Sequence, residues 1–131
     1  MHKFRNVENK KFSIRARIRS FDYAISGIVT LIKNEHNARI HLFATICVVF
    51  AGFLLDISAN EWIAVIFAIG FVFAMEAVNS AVEYLSDLIS PEYNRLIKQA
   101  KDVAAAAVLF AAIAAACVGL IIFIPKILSL C

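Results

Sequence analysis

The stretch from Val103 to Ile124 contains no charged residue. An α-helix needs roughly 20 consecutive apolar residues to cross the hydrocarbon of a bilayer, and this run supplies them. The feature sets the fold class before any other is considered. Composition agrees, since 62% of the residues are hydrophobic and mean hydropathy is +0.80. A soluble domain is ordinarily just under half apolar. The excess must face lipid, and the 131 residues suffice for one domain.

Two further spans are legible upstream. The first runs from about residue 37 to 57. Its clean apolar core, Leu42 to Leu55, is short for a bilayer, so Arg39 and His41 must snorkel or face protein. The second runs from about 61 to 88 and opens beside Trp62, an interfacial aromatic. A tight turn at Asp56–Glu61 joins them. The segment Ser90-Pro91-Glu92-Tyr93-Asn94 breaks the second span, and Pro91 suits a first helical turn capped by Ser90. A short amphipathic stretch then leads to a third span at 102–124, which Pro125 and Lys126 end. Ahead of all three, Ile14, Ile18, Phe21, Ile25, Ile28 and Ile32 recur at helical spacing with Arg15, Arg17, Arg19 and Asp22 on other faces. This predicts an amphipathic helix at the membrane surface. Residues 1–12 read as a flexible basic N-terminus and 13–131 as one membrane-embedded domain. The expected fold is therefore an all-α membrane protein with three transmembrane helices and an N-terminal amphipathic surface helix.

Charge sets the orientation. Residues 1–39 hold Lys3, Arg5, Lys10, Lys11, Arg15, Arg17, Arg19, Lys33 and Arg39, most of the 13 basic residues. The first inter-span loop has no Lys or Arg, whereas the second is followed by Arg95, Lys98 and Lys101. The positive-inside rule places the N-terminus and the second loop in the cytoplasm and the C-terminus outside. Beside anionic lipid such a basic cluster anchors, and nucleic-acid binding does not suit so apolar a chain. Cys47, Cys117 and Cys131 form no CxxC pair and predict neither a disulfide framework nor a zinc site. No apolar stretch or small-residue cleavage site directly follows the basic N-terminus, so a cleaved signal peptide is not expected.

The chemistry lies on the second span. Glu76, Asn79, Ser80, Glu83 and Asp87 fall within an arc of roughly 100° on one helix face. Carboxylates at membrane depth are costly and need partners or water. A helix end entering the cytoplasm accounts for Asp87 and can extend to Glu83. It leaves Glu76 unexplained, roughly 16 Å further in at 1.5 Å per residue. Glu35 precedes the first span, and Lys101 and Asp102 begin the third, so the topology brings these groups to the same membrane face. Two glutamates and an asparagine can hold a hard cation such as Mg2+ through oxygen, and Lys101 can offset phosphate charge. On its own, Lys101-Asp102 reads more simply as a solvated helix start. No GxxxxGK[ST] or GxGxxG can be built from Gly27, Gly52, Gly70 and Gly119. If a nucleotide binds, metal and basic side chains must cradle its phosphates. Residue chemistry alone reaches a polar, metal-binding site at the cytoplasmic face, open to an enzyme, a small ion-coupled transporter or channel subunit, or a structural subunit.

The string Glu76-Ala-Val-Asn-Ser-Ala-Val-Glu83, with Asp87 and then Lys101-Asp102-Val-Ala-Ala-Ala-Ala-Val-Leu109, resembles the prokaryotic diacylglycerol kinase family. So does Asn34-Glu35-His-Asn-Ala-Arg39-Ile-His41-Leu42. The resemblance covers residues 15 to 125. It implies a homotrimer with sites between subunits, transferring the γ-phosphoryl group of ATP to a lipid hydroxyl. Residue by residue, it implies Glu76 as general base and Glu35 and Glu83 as Mg2+ ligands, with Asn79 beside them. It places Lys101, Asp102, Tyr23, Glu92, Tyr93 and Asn94 at the nucleotide, and Arg17, Arg39 and Asp87 in support. The diacylglycerol branch tends to carry serine where this chain has Ala105, at the lipid substrate. It also expects arginine where Ala16 stands between Arg15 and Arg17. Together with the segment Glu35–His41, these positions look more like the undecaprenol kinase branch. The acceptor implied is undecaprenol, with diacylglycerol as the alternative.

Overall fold

The computed structural model describes residues 11–131. The flexible N-terminus expected over residues 1–12 lies almost wholly outside the described residues. Among the described residues the chain is helical, with no strand. Its elements are α1 (Ile14–Asn34), α2 (His36–Leu54), α3 (Ala59–Ile89) and α4 (Arg95–Leu128). The last three are long and apolar enough to cross a membrane. In hydrocarbon a helix satisfies its backbone groups internally, and the lipid-facing sides explain why Phe43, Phe50, Phe67, Phe110 and Ile121 stay exposed.

The α3–α4 pair is the backbone of the fold. Alanines on α4 let α3 approach closely, and Ala111 is buried completely. An ion pair pins each end. Lys101 Nζ lies 2.9 Å from Asp87 Oδ1 at one end, and Lys126 Nζ lies 3.3 Å from Glu61 Oε1 at the other. Nearly equal stretches of α3 and α4 separate the two pairs, so the helices run antiparallel without slipping. At 1.5 Å per residue, the 31 residues of α3 extend about 46 Å and the 34 of α4 about 51 Å. Both exceed a hydrocarbon core of about 30 Å, so polar ends must project beyond it.

The helix ends differ from the sequence expectation where side-chain caps decide. A capping box starts α3, with Ser58 Oγ accepting from the Glu61 amide and the Glu61 carboxylate accepting from the Ser58 amide. The last helix starts at neither Ser90 nor residue 102. Ser90 closes α3, and Asn94 Oδ1 caps α4 by accepting from the amides of Leu96 and Ile97. No breaker separates Arg95 from Val103, so the expected amphipathic stretch and the third span are one helix. Nor does Pro125 end it, for α4 runs on to Leu128. A proline removes one backbone donor, a loss that membrane helices tolerate. The α2–α3 connection is a tight turn between Leu54 and Ala59, slightly earlier than the expected Asp56–Glu61: Asp56 adopts φ 52°, and a Cβ on Gly52 would come within 2.7 Å of the Trp62 ring. Here Ile57, Val65 and Ile122 form the buried cluster at the turn end of the bundle.

The first helix, α1, precedes the spans. Ser13 Oγ accepts from the Ala16 amide at its start, and Glu35 separates it from α2. Only Leu31 of α1 is buried.

Candidate functional site

The acidic face of α3 turns toward protein rather than lipid. Glu76 is 1% exposed, and Asn79, Ser80 and Ser86 are also buried. One chain alone therefore hides the deep part of the stripe, so its burial does not require a neighbouring subunit. The residues fall into three levels along α3.

Deepest is Glu76, whose Oε1 lies 3.1 Å from His41 Nε2 on α2. Thr45, one turn further along α2, donates to the His41 carbonyl at 2.7 Å. His41 also forms the polar end of an apolar cavity of about 290 Å³ between α2, α3 and α4, lined by Thr45, Val72, Ala112 and Ala115 among others. Of the two options open to a histidine at the edge of a span, snorkelling or facing protein, His41 takes the second, and its partner is the deepest carboxylate.

One turn toward the charged end lies the middle level. Asn79 Nδ2 approaches Glu83 Oε1 at 3.5 Å. Asn79 Oδ1 and Ser80 Oγ are buried without a hydrogen-bond partner. Buried polar atoms of this kind ordinarily have one, so both atoms are free to take a further polar partner. Tyr84, whose hydroxyl donates to Glu35 Oε1 at 3.0 Å, joins the α1–α2 junction to α3. Tyr84 is a site residue that sequence reasoning missed. Its only signal was a place on the exposed flank of the acidic stripe. Glu83 lies within electrostatic reach of both Tyr84 and Lys101. Tyr23, on α1, is 69% exposed and shares a groove with Ser80 and Tyr84.

At the mouth, a cleft of about 440 Å³ is lined by Asp87, Glu92, Tyr93, Asn94, Lys98, Lys101 and Asp102 among others. Here Lys101 bonds Asp87, and Lys98 bonds Asp102 at 2.6 Å. Lys98 too escaped the sequence reading, although it precedes Asp102 at the i,i+4 spacing of a helical ion pair. These exposed pairs are weak and can be exchanged for a stronger anion. Three expected residues stand apart. Arg17 packs over the Phe12 ring at 5.7 Å. Arg39 donates to the Lys33 carbonyl at 3.0 Å. Ala105 is exposed on α4, one turn beyond Lys101.

Among the described residues no three His, Cys, Asp or Glu side chains are grouped to hold a metal. Mg2+ does not ask for such a cage: it is commonly held by one or two carboxylates together with substrate phosphates and water. Glu35 and Glu83, both bearing on Tyr84, with the unpartnered Oδ1 of Asn79, the neighbour of Glu83, offer donors of that kind. It fits a cation that arrives with a nucleotide.

Comparison with known proteins identifies the family. Residues 22–123 match the family described as prokaryotic diacylglycerol kinase. The chain is 38% identical over 109 residues to the undecaprenol kinase of Bacillus subtilis, covering 83% of this chain and 89% of that protein. It is 39% identical over 112 residues to the diacylglycerol kinase of Synechocystis, covering 85% of this chain and 64% of that protein. It is 34% identical over 98 residues to the diacylglycerol kinase of Escherichia coli, covering 75% and 80% respectively. With spans, buried acidic face and family match in agreement, the chain belongs to the prokaryotic diacylglycerol kinase family, and with it to the membrane lipid kinases.

Proposed function

We propose that this protein transfers the γ-phosphoryl group of ATP to a lipid alcohol, undecaprenol in preference to diacylglycerol, at the cytoplasmic face of the inner membrane. The observation that carries the reading is the α3 face on which Glu76 meets His41 of α2, Asn79 meets Glu83, and Tyr84 meets Glu35 at the α1–α2 junction, at the end of the bundle where Lys101 lies. A conduction path needs carboxylates in the membrane. It has no need of Glu35, Lys98 and Lys101 gathered at one end, and this arrangement favours the kinase over an ion-coupled transporter or channel subunit.

In this reading the Glu76 carboxylate accepts the proton of the lipid hydroxyl, with Asn79 orienting the acceptor beside it. Burial within protein keeps bulk water from competing for the phosphoryl group. Glu35 and Glu83 would hold Mg2+, which would supply positive charge to offset that of the phosphates. Lys101 exchanges Asp87 for a phosphate, and Asp102, Glu92, Tyr93 and Asn94 line the nucleotide's cleft. Tyr23 presents its ring to the adenine. Ala105 borders the lipid, with Arg17, Arg39 and Asp87 in support. The surface helix α1 lies along the headgroups, the N-terminus is cytoplasmic, and the protein works as a homotrimer with sites between subunits. The exposed Tyr23 and Tyr93 leave faces that a neighbouring subunit would complete.

Detergent-solubilised protein given labelled ATP, Mg2+ and either undecaprenol or diacylglycerol should label both lipids, undecaprenol faster. Label in neither lipid sinks the kinase reading and favours the transporter. A faster diacylglycerol reaction removes the undecaprenol preference and leaves the kinase.

A further inference from the structure

We propose that His41 is a positioning residue for Glu76, holding one carboxylate oxygen so that the other is presented to the lipid hydroxyl. The inference rests on the reading of Glu76 as the base. Glu76 is 1% exposed, so water does not fix its rotamer. Among the described residues, the imidazole of His41 is the side chain that hydrogen-bonds it, at 3.1 Å from Oε1. An ionised carboxylate only accepts hydrogen bonds. A Glu76 able to take a proton therefore requires the tautomer of His41 with hydrogen on Nε2. That bond occupies Oε1 and leaves Oε2 for the incoming proton.

His41 is itself well anchored. It sits on α2, whose next turn is fastened by the Thr45 hydroxyl to the His41 carbonyl. It lines the apolar cavity between α2, α3 and α4, while its Nε2 meets the carboxylate. The bond also joins α2 to α3 far from their connecting turn, where Ile57 and Val65 pack. One contact thus bears on both helix placement and base orientation. Loss of it should disturb the geometry of proton transfer, where misplacement by about 1 Å costs on the order of 100-fold.

The test uses the purified full chain in mixed micelles with MgATP and undecaprenol. It compares His41→Ala, His41→Gln, Glu76→Gln and the double variant His41→Ala/Glu76→Gln. His41→Ala should lower kcat on the order of 100-fold while the KM for MgATP stays unchanged. His41→Gln retains an amide donor and should recover most of that loss; it also controls for a fold that tolerates no change at this position. In the Glu76→Gln background, adding His41→Ala should change the residual rate no further, because the residue acts through Glu76. The inference is overturned if Gln is as slow as Ala, if the two losses multiply, or if the MgATP KM rises in step with the fall in kcat. A normal kcat in His41→Ala beside an inactive Glu76→Gln overturns this inference alone. Turnover retained by Glu76→Gln overturns the base assignment and this inference with it.

Discussion

At the residue scale, the three levels along α3 give each carboxylate a different neighbourhood, and so a different expected defect. Glu76 is buried against His41, away from the cleft that Lys101 and Asp87 border. Glu35 and Glu83 sit at the middle level, where both bear on Tyr84. Glu76→Gln keeps size and hydrogen bonding but removes the basic oxygen. It should reduce turnover by roughly 100- to 10,000-fold, the range of general-base contributions, with nucleotide binding largely spared. Glu35→Gln and Glu83→Gln should instead raise the Mg2+ and ATP concentrations needed for half-maximal rate. Titration of nucleotide binding alongside initial rates separates the two patterns. Equal binding defects in all three variants contradict the division of roles. The stripe itself was legible in the sequence, because helical spacing alone aligns Glu76, Asn79, Glu83 and Asp87. Its partners were not. The Glu76 bond to His41 and the Glu35 bond to Tyr84 join residues far apart in sequence, and nothing in the spacing says how α2 is rotated against α3.

At the scale of elements, hydropathy located every span, and capping chemistry decided where helices begin and end. The segment Ser90–Asn94 holds two plausible starts. Ser90 followed by Pro91 has the familiar composition, yet Asn94 is the residue that satisfies the first free amides of α4. The competition was invisible in the sequence because serine and asparagine are about equally good caps. Moving the start to Arg95 places Lys98 and Lys101 in the opening turns of a rigid helix rather than on a linker, and so fixes them over the mouth cleft. Asn94→Ala should therefore do more than remove about 1 kcal/mol of helix stability. Fraying of the first turn frees Lys98 and Lys101, so the KM for ATP should rise more than kcat falls, while Asn94→Asp should restore both. A fall in kcat with unchanged KM would show that the cap has no bearing on the nucleotide cleft. Pro125 teaches the complementary point. A proline reads as a terminator when only local chemistry is considered, but α4 continues past it to Lys126, which reaches Glu61 on α3.

At the scale of the whole molecule, the polarity of the bundle links architecture to chemistry. Its turn end holds the buried cluster around Ile57, Val65 and Ile122 together with the Glu61–Lys126 pair. The opposite end holds the acidic ladder, the mouth cleft and most of the basic residues, which on the positive-inside rule is the cytoplasmic end. On the proposed reading, the same asymmetry that orients the chain would also bring the nucleotide to Glu83 and Lys101. The three cysteines offer a direct test. Cys131 ends the chain beyond Leu128, whereas Cys47 and Cys117 lie within α2 and α4. With three spans and a cytoplasmic N-terminus, Cys131 must face outward. In a Cys47→Ser/Cys117→Ser background, a membrane-impermeant maleimide added to spheroplasts should label Cys131 without permeabilisation. Lysing the spheroplasts should add little further label. Labelling that requires lysis would put the C-terminus inside and the acidic ladder on the face without nucleotide. The kinase reading would then lose its substrate even if every contact around Glu76 stood as described.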